Sequence, residues 1–222
     1  MFCDKLKIQV YLRQPLKYLK KIKLFQECRN YISRDEVGKD KFILVSAISN
    51  WFDDRIEKFL AQSNYPSNHR NLRNWLTEWS IEDFKILKIR NILNQNPNRK
   101  FIVIFDNSDA SLKLAARLQI EFPEKISAIY LRQVVDKSVP IGATSFFTAF
   151  DIALNEFKSQ RLNVTEVVAV GSAIATDKAY ENIFPNYAVC PEEYNPCSEL
   201  GPELVNICSA VKKRVLEVCS RR

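Results

Sequence analysis

Two apolar runs in this chain stop abruptly in residues that can hold a ligand. FIVIF (101–105) gives way to Asp106, Asn107, Ser108 and Asp109, and FILV (42–45) gives way to Ser46. Short, continuous apolar runs read as strands buried on both faces of a parallel sheet. In such sheets ligands bind at the carboxyl ends of the strands. A carboxylate there can hold a metal ion, and a hydroxyl can donate to an anion. Two other uses compete for the same residues. Asp106, Asn107 and Ser108 can turn the chain and cap the next helix, and Ser46 can satisfy a backbone group at its strand end.

Scarcity narrows the chemistry further. His69 is the single histidine and falls in a polar stretch, which excludes metal sites built on several histidines and leaves a Ser–His–Asp triad little to use. The four glycines, Gly38, Gly142, Gly171 and Gly201, are far apart, so neither a dinucleotide fingerprint nor a P-loop can be written. A phosphate would have to be held by side chains and helix N-termini. The six cysteines, Cys3, Cys28, Cys190, Cys197, Cys208 and Cys219, are scattered, and the expectation is reduced thiols in a cytoplasmic protein. Only Cys190 and Cys197, in CPEEYNPC, have the spacing of a pair, and a zinc site there lacks further ligands.

The elements that must position these residues follow from periodicity. Residues 6–12 alternate, with Leu6, Ile8, Val10 and Leu12 on one side, as in a half-buried strand or hairpin arm. A basic helix is predicted from about Pro15. Helices are predicted over 52–62, with Phe52, Ile56, Phe59 and Leu60 on one face, and over 82–95, with Phe84, Leu87, Ile89, Ile92 and Leu93. Residues 63–80 read as a loop with one short strand. FIVIF is followed by a helix through Leu112 to Leu118, and then by the strand ISAIYL (126–131). After Gly142 helices are predicted over 146–160, 164–182 and 199–219. This alternation means parallel βαβ units in an α/β sandwich.

Net charge is +7, part of it at Arg13, Lys17, Lys20, Lys21 and Lys23. Such a cluster can meet anionic lipid, with each cation near the surface contributing about 1 kcal/mol. The interleaved Leu16, Leu19, Ile22 and Leu24 favour instead an ordinary solvated helix face. No nucleic-acid pattern accompanies the charge.

With these elements in place, a family resemblance emerges. FILVSAIS, LRNW (72–75), KILKIRNIL (85–93), RKFIVIFDNSD (99–109), FPEKISAIYLRQV (122–134) and TAFDIAL (148–154) occur in the order and spacing of the actin-patch-protein type of phosphatidate phosphatase. That is a branch of the haloacid dehalogenase superfamily, and the chain resembles it over roughly residues 6–160. The resemblance implies a three-layer α/β sandwich with a parallel, Rossmann-like sheet. Residues 1–160 would form a catalytic domain, incomplete at its N-terminus, with 161–222 a helical extension packed on it. It implies Mg²⁺-dependent hydrolysis of phosphatidate to diacylglycerol and phosphate, begun by an aspartate that attacks phosphorus. Ser46 matches the phosphate-binding hydroxyl, Lys85 the lysine that stabilises the transferring group, and Asp106 a metal ligand.

The chain departs from that pattern at several points. The first strand, which should end in Asp-x-Asp, is missing, and the central slot it leaves would be filled by residues 6–12, by another chain or by residues upstream of Met1. Extending the alignment backward places the two aspartates on Met1 and Cys3, beside Asp4 and Lys5. Phe105 stands where a glycine is usual, Ser111 where an acid is usual, and Ala47 and Ile48 where polar residues are usual. Asp109 is the substitute metal ligand. The expectation is therefore a phosphatidate phosphatase-like domain with impaired turnover, a pseudoenzyme, binding Mg²⁺ weakly and touching membranes peripherally. The rival expectation is a non-catalytic module that binds anionic phospholipid or a protein partner through the basic N-terminal helix.

Overall fold

The computed structural model describes residues 5–11, 42–62, 68–78, 80–184, 187–197 and 201–221. The predicted basic helix from Pro15 lies outside the described residues. The described chain forms two compact units, which divide between Ser145 and Phe146.

The first unit is α/β. Strands β1 (Lys5–Tyr11), β2 (Phe42–Ser49), β3 (Asn68–Arg73), β4 (Lys100–Asp106), β5 (Ile126–Arg132) and β6 (Thr144–Phe146) form one sheet in the order β3-β2-β1-β4-β5-β6. The pairings of β1 with β2 and β4, of β2 with β3 and of β4 with β5 are all parallel. Residues 6–12 were expected to be a half-buried strand or a hairpin arm, with the family's central strand missing. The sequence left three ways to fill that central place, and the structure takes one of them: β1 is the central strand, hydrogen-bonded on both edges. Its position follows from non-local pairing, which the local alternation does not carry. His69 lies in β3 rather than in a loop, and the short β6 was not foreseen.

Helices α1 (Asp53–Gln62), α2 (Ile81–Gln95) and α3 (Asp109–Glu121) join the strands. Ser80 caps α2 by accepting from the Asp83 N–H at 3.1 Å, and Glu82 and Asp83 lie in the first turn, where the helix dipole favours acids. One core packs Ile43, Val45, Phe101, Val103, Phe105, Ile129 and Leu131 against Phe84, Ile86, Ile89 and Leu93 of α2 and Leu114, Ala115 and Leu118 of α3. The strand residues in that core are alternate ones, as the period of two requires. Leu44, Ile102, Ile104 and Tyr130 on the other face are also buried, which is why these strands read as continuous apolar runs.

One face assignment is reversed. Leu87, expected in the core, is 50% exposed, whereas Lys85 is 1% exposed. Lys85, Ile89 and Ile92 are four and seven residues apart, so the lysine occupies the apolar stripe.

The second unit begins at Phe146 and is helical: α4 (Ala149–Lys158), α5 (Val164–Thr176), α6 (Tyr180–Ile183) and α7 (Val205–Ser220). Asp151 closes a capping box on α4, accepting from the Thr148 and Phe147 N–H groups at 2.8 Å each, and the Tyr194 hydroxyl donates to its other oxygen at 2.7 Å. The TAFDIAL segment is thus a helix start. Gly171 lets α5 approach its neighbours: a Cβ there would collide with Ile207 and Phe150. The cysteine expectation is overturned. Cys190 bonds to Cys219 and Cys197 to Cys208, with Cα separations of 5.7 and 6.0 Å. Cys190 and Cys197 are close in sequence, yet each reaches α7 rather than the other. Cys208 and Cys219 are eleven residues apart, about three turns, and so share one helix face.

Candidate functional site

The parallel register brings four residues into one row at the carboxyl edge of the sheet. Tyr11 pairs with Ser46, and Asp106 pairs with Arg132. Gln9 pairs with Ile104, so two residues further on Tyr11 reaches the level of Asp106. Ser46, Tyr11, Asp106 and Arg132 thus come from four adjacent strands at one level. The strand period places Ser46, Asp106 and Arg132 on the same face.

Ser46 is buried, and its Oγ accepts from the Ile48 N–H at 3.2 Å, which leaves the hydroxyl proton to donate elsewhere. Asp106 accepts from the Ser108 N–H at 3.1 Å, so the turn-forming use foreseen for this residue is real and occupies one oxygen. Arg132, the last residue of β5, is also buried. Sequence reading missed it, although a charged residue ending the apolar run IYL was a signal of the same kind as Asp106.

Lys85 comes to this edge because α2 starts there, following β3 through residues 74–80. Its ammonium is buried and has no hydrogen-bond partner among the described residues. Burial pulls its pKa down to about 8, and the Asp106 carboxylate opposes that fall. The signal for it was present in the sequence, as a lysine on an apolar helical stripe.

Asp109 opens α3. It is exposed and ion-paired to Lys137 at 2.5 Å, which holds its carboxyl below the usual range. Ser111 is buried within hydrogen-bond reach of Ser108, and Phe105 fills core space. Among the described residues no group of three His, Cys, Asp or Glu side chains is placed to hold a metal ion.

Asn107 organises the loop beyond β5. Its amide donates to Gln133 Oε1 and the Val135 carbonyl at 2.7 Å each and to the Lys137 carbonyl at 3.2 Å. Its oxygen accepts from the Val134 and Val135 N–H groups at 2.8 and 3.1 Å. A fully buried amide that satisfies all these groups fixes one wall of the edge.

In wider comparisons, no curated protein and no solved structure gives a match. A family model does: the phosphatidate phosphatase APP1 catalytic domain matches residues 12–133, more than half of the chain, and this chain therefore belongs to that family.

Proposed function

We propose that this chain is a phosphatidate phosphatase-like domain that keeps the family's phosphate pocket and has lost most of its hydrolytic power. The observation that carries this is Lys85: a buried ammonium without a hydrogen-bond partner among the described residues, beside Asp106. An unpaired buried cation is costly, and an anionic ligand offsets that cost. A phosphate seated at the edge would take charge-assisted bonds from Lys85 and a hydrogen bond from Ser46.

The strand order, with β1 flanked by β2 and β4, supports a haloacid-dehalogenase-like sheet, in which the attacking aspartate ends the central strand. Here that level is Tyr11, and two residues on stands Arg13. Between Asp4 and Glu27 the sequence contains no acidic residue at all. Neither Tyr11 nor Arg13 supplies the carboxylate that would attack phosphorus or the acid–base group that would follow it. On this reading the two positions fall on Tyr11 and Arg13 rather than on Met1 and Cys3.

Mg²⁺, the ion the family reaction implies, does not fit the residues present. A hard dication needs several oxygen ligands. Asp106 stands next to a buried lysine, Asp109 is engaged by Lys137, and the end of β1 brings no carboxylate.

Titration of the full chain with a soluble short-chain phosphatidate, alongside a phosphate-release assay with Mg²⁺, tests this reading. The expected result is binding that Lys85→Met abolishes, with release close to background. Robust release that Asp106→Asn eliminates would overturn it.

A further inference from the structure

Next to the phosphate edge, two loops carry large apolar side chains into solvent. A 3-10 turn over Asn50–Phe52 follows β2, and a turn at Asn74–Thr77 follows β3, whose last residue Arg73 pairs with Ser49. Both lie at the carboxyl end of the sheet. Trp51 is 67% exposed, Leu76 57%, Trp75 40% and Phe52 36%. The two indole rings touch edge to face, with centroids 5.2 Å apart, so the patch is continuous across the two loops. Arg55 stands over the Phe52 ring at 5.7 Å. Single exposed apolar residues need no explanation, but a paired, aromatic cluster does.

We infer that Trp51, Phe52, Trp75 and Leu76 form a docking surface for a phospholipid bilayer. The inference rests on the reading of the adjacent edge as a phosphatidate pocket. The phosphate of a diacyl lipid lies at the membrane surface while its chains stay in the hydrocarbon. A pocket for it must therefore present its mouth to the headgroup plane. The surface around this mouth has the composition of that plane: indole rings suit the boundary between water and hydrocarbon, and the exposed Arg55 suits the phosphates beside it. Neighbouring Asp53 and Glu57 are held by Arg70 at 2.6 and 3.3 Å, which offsets their repulsion of the headgroups. Among the described residues no helix is long and apolar enough to cross a membrane, so these residues would dock without a spanning helix.

The test uses the full chain and vesicles of phosphatidylcholine alone, with lipids brominated in the acyl chains as quenchers of indole fluorescence. Neutral vesicles separate patch insertion from capture of phosphatidate. The expected result is co-sedimentation with quenching. A Trp51→Ala/Trp75→Ala double variant should bind roughly tenfold or more weakly. Ile120→Ala, on an exposed residue at the far end of α3, should bind like the parent. A thermal melt by circular dichroism confirms that each variant is folded, and Trp51→Lys provides a second variant should the double change not fold. Parent binding that survives loss of both tryptophans, or no binding to neutral vesicles, overturns the inference. Soluble short-chain phosphatidate is measured in parallel. If it binds through Lys85 while neutral vesicles do not bind, the docking surface fails and the pocket stands. If vesicles bind through the tryptophans while the soluble lipid does not, the pocket fails and the docking surface stands.

Discussion

Asp106 opposes the desolvation of Lys85 across the boundary between β4 and α2. The lysine lies on a helix stripe otherwise filled by Ile89 and Ile92, and the carboxylate ends the strand beneath it. Removing that carboxylate has a direction that can be measured. In Asp106→Asn the Lys85 pKa should fall below about 8, which carbon-labelled lysine NMR across a pH titration would show. An unchanged value would mean that the two charges do not interact.

The same lysine ties stability to pH. Its folded pKa of about 8 is below the unfolded value, so between the two the unfolded chain binds the extra proton. Stability therefore rises as pH climbs from about 8 towards 10.4, and the penalty is fully present below about 8. Lys85→Met should stabilise the ligand-free chain at pH 7 by up to about 3 kcal/mol, with the gain shrinking to nothing by about pH 10.4. Urea unfolding of both proteins at pH 7, 9 and 10.5 checks the convergence. A gain that does not depend on pH would come from packing instead.

Anion binding should follow the proton. A bound phosphate favours the charged lysine and raises its pKa, so affinity for a short-chain phosphatidate should be greatest below about pH 8 and fall above it. Calorimetric titrations at pH 6.5 to 9.5 would show the loss. Affinity that does not change across this range would place the phosphate away from Lys85.

Asn107 has a structural task that its neighbours do not share. Asn107→Ala should destabilise the first unit by about 3 kcal/mol, because several hydrogen bonds vanish and the Val134 and Val135 N–H groups lose an acceptor. Ser108→Ala should cost much less, since its side chain makes no cap bond on α3. Denaturant midpoints of the two variants give the comparison.

The cysteine pairing predicts a thiol count. Under denaturing, non-reducing conditions at most two of the six cysteines should accept an alkylating label, because Cys190, Cys197, Cys208 and Cys219 are bonded. Reduction should destabilise the second unit by about 3 kcal/mol for each bond, given the loops they close. Four or more labels on the unreduced chain would restore the thiol expectation.

The sequence by itself determined what local pattern controls. Apolar runs of strand length marked β2, β4 and β5, and their alternation with helical stripes gave the parallel α/β class. The abrupt polar endings marked Ser46 and Asp106 at the edge where a ligand would sit. The ordered segments from FILVSAIS to FPEKISAIYLRQV carried the family. What only the tertiary structure decided depends on partners far apart in the chain. Local alternation in residues 5–11 cannot say which strands lie on either side, yet that pairing makes β1 central and puts Tyr11 at the level of Asp106. A helical period fixes which residues share a face but not where the stripe meets the sheet, so Leu87 was placed on the apolar face and is exposed, while Lys85 is buried. Cysteine spacing cannot supply distances between a loop and a helix, so the two bonds to α7 became legible only when the chain had folded.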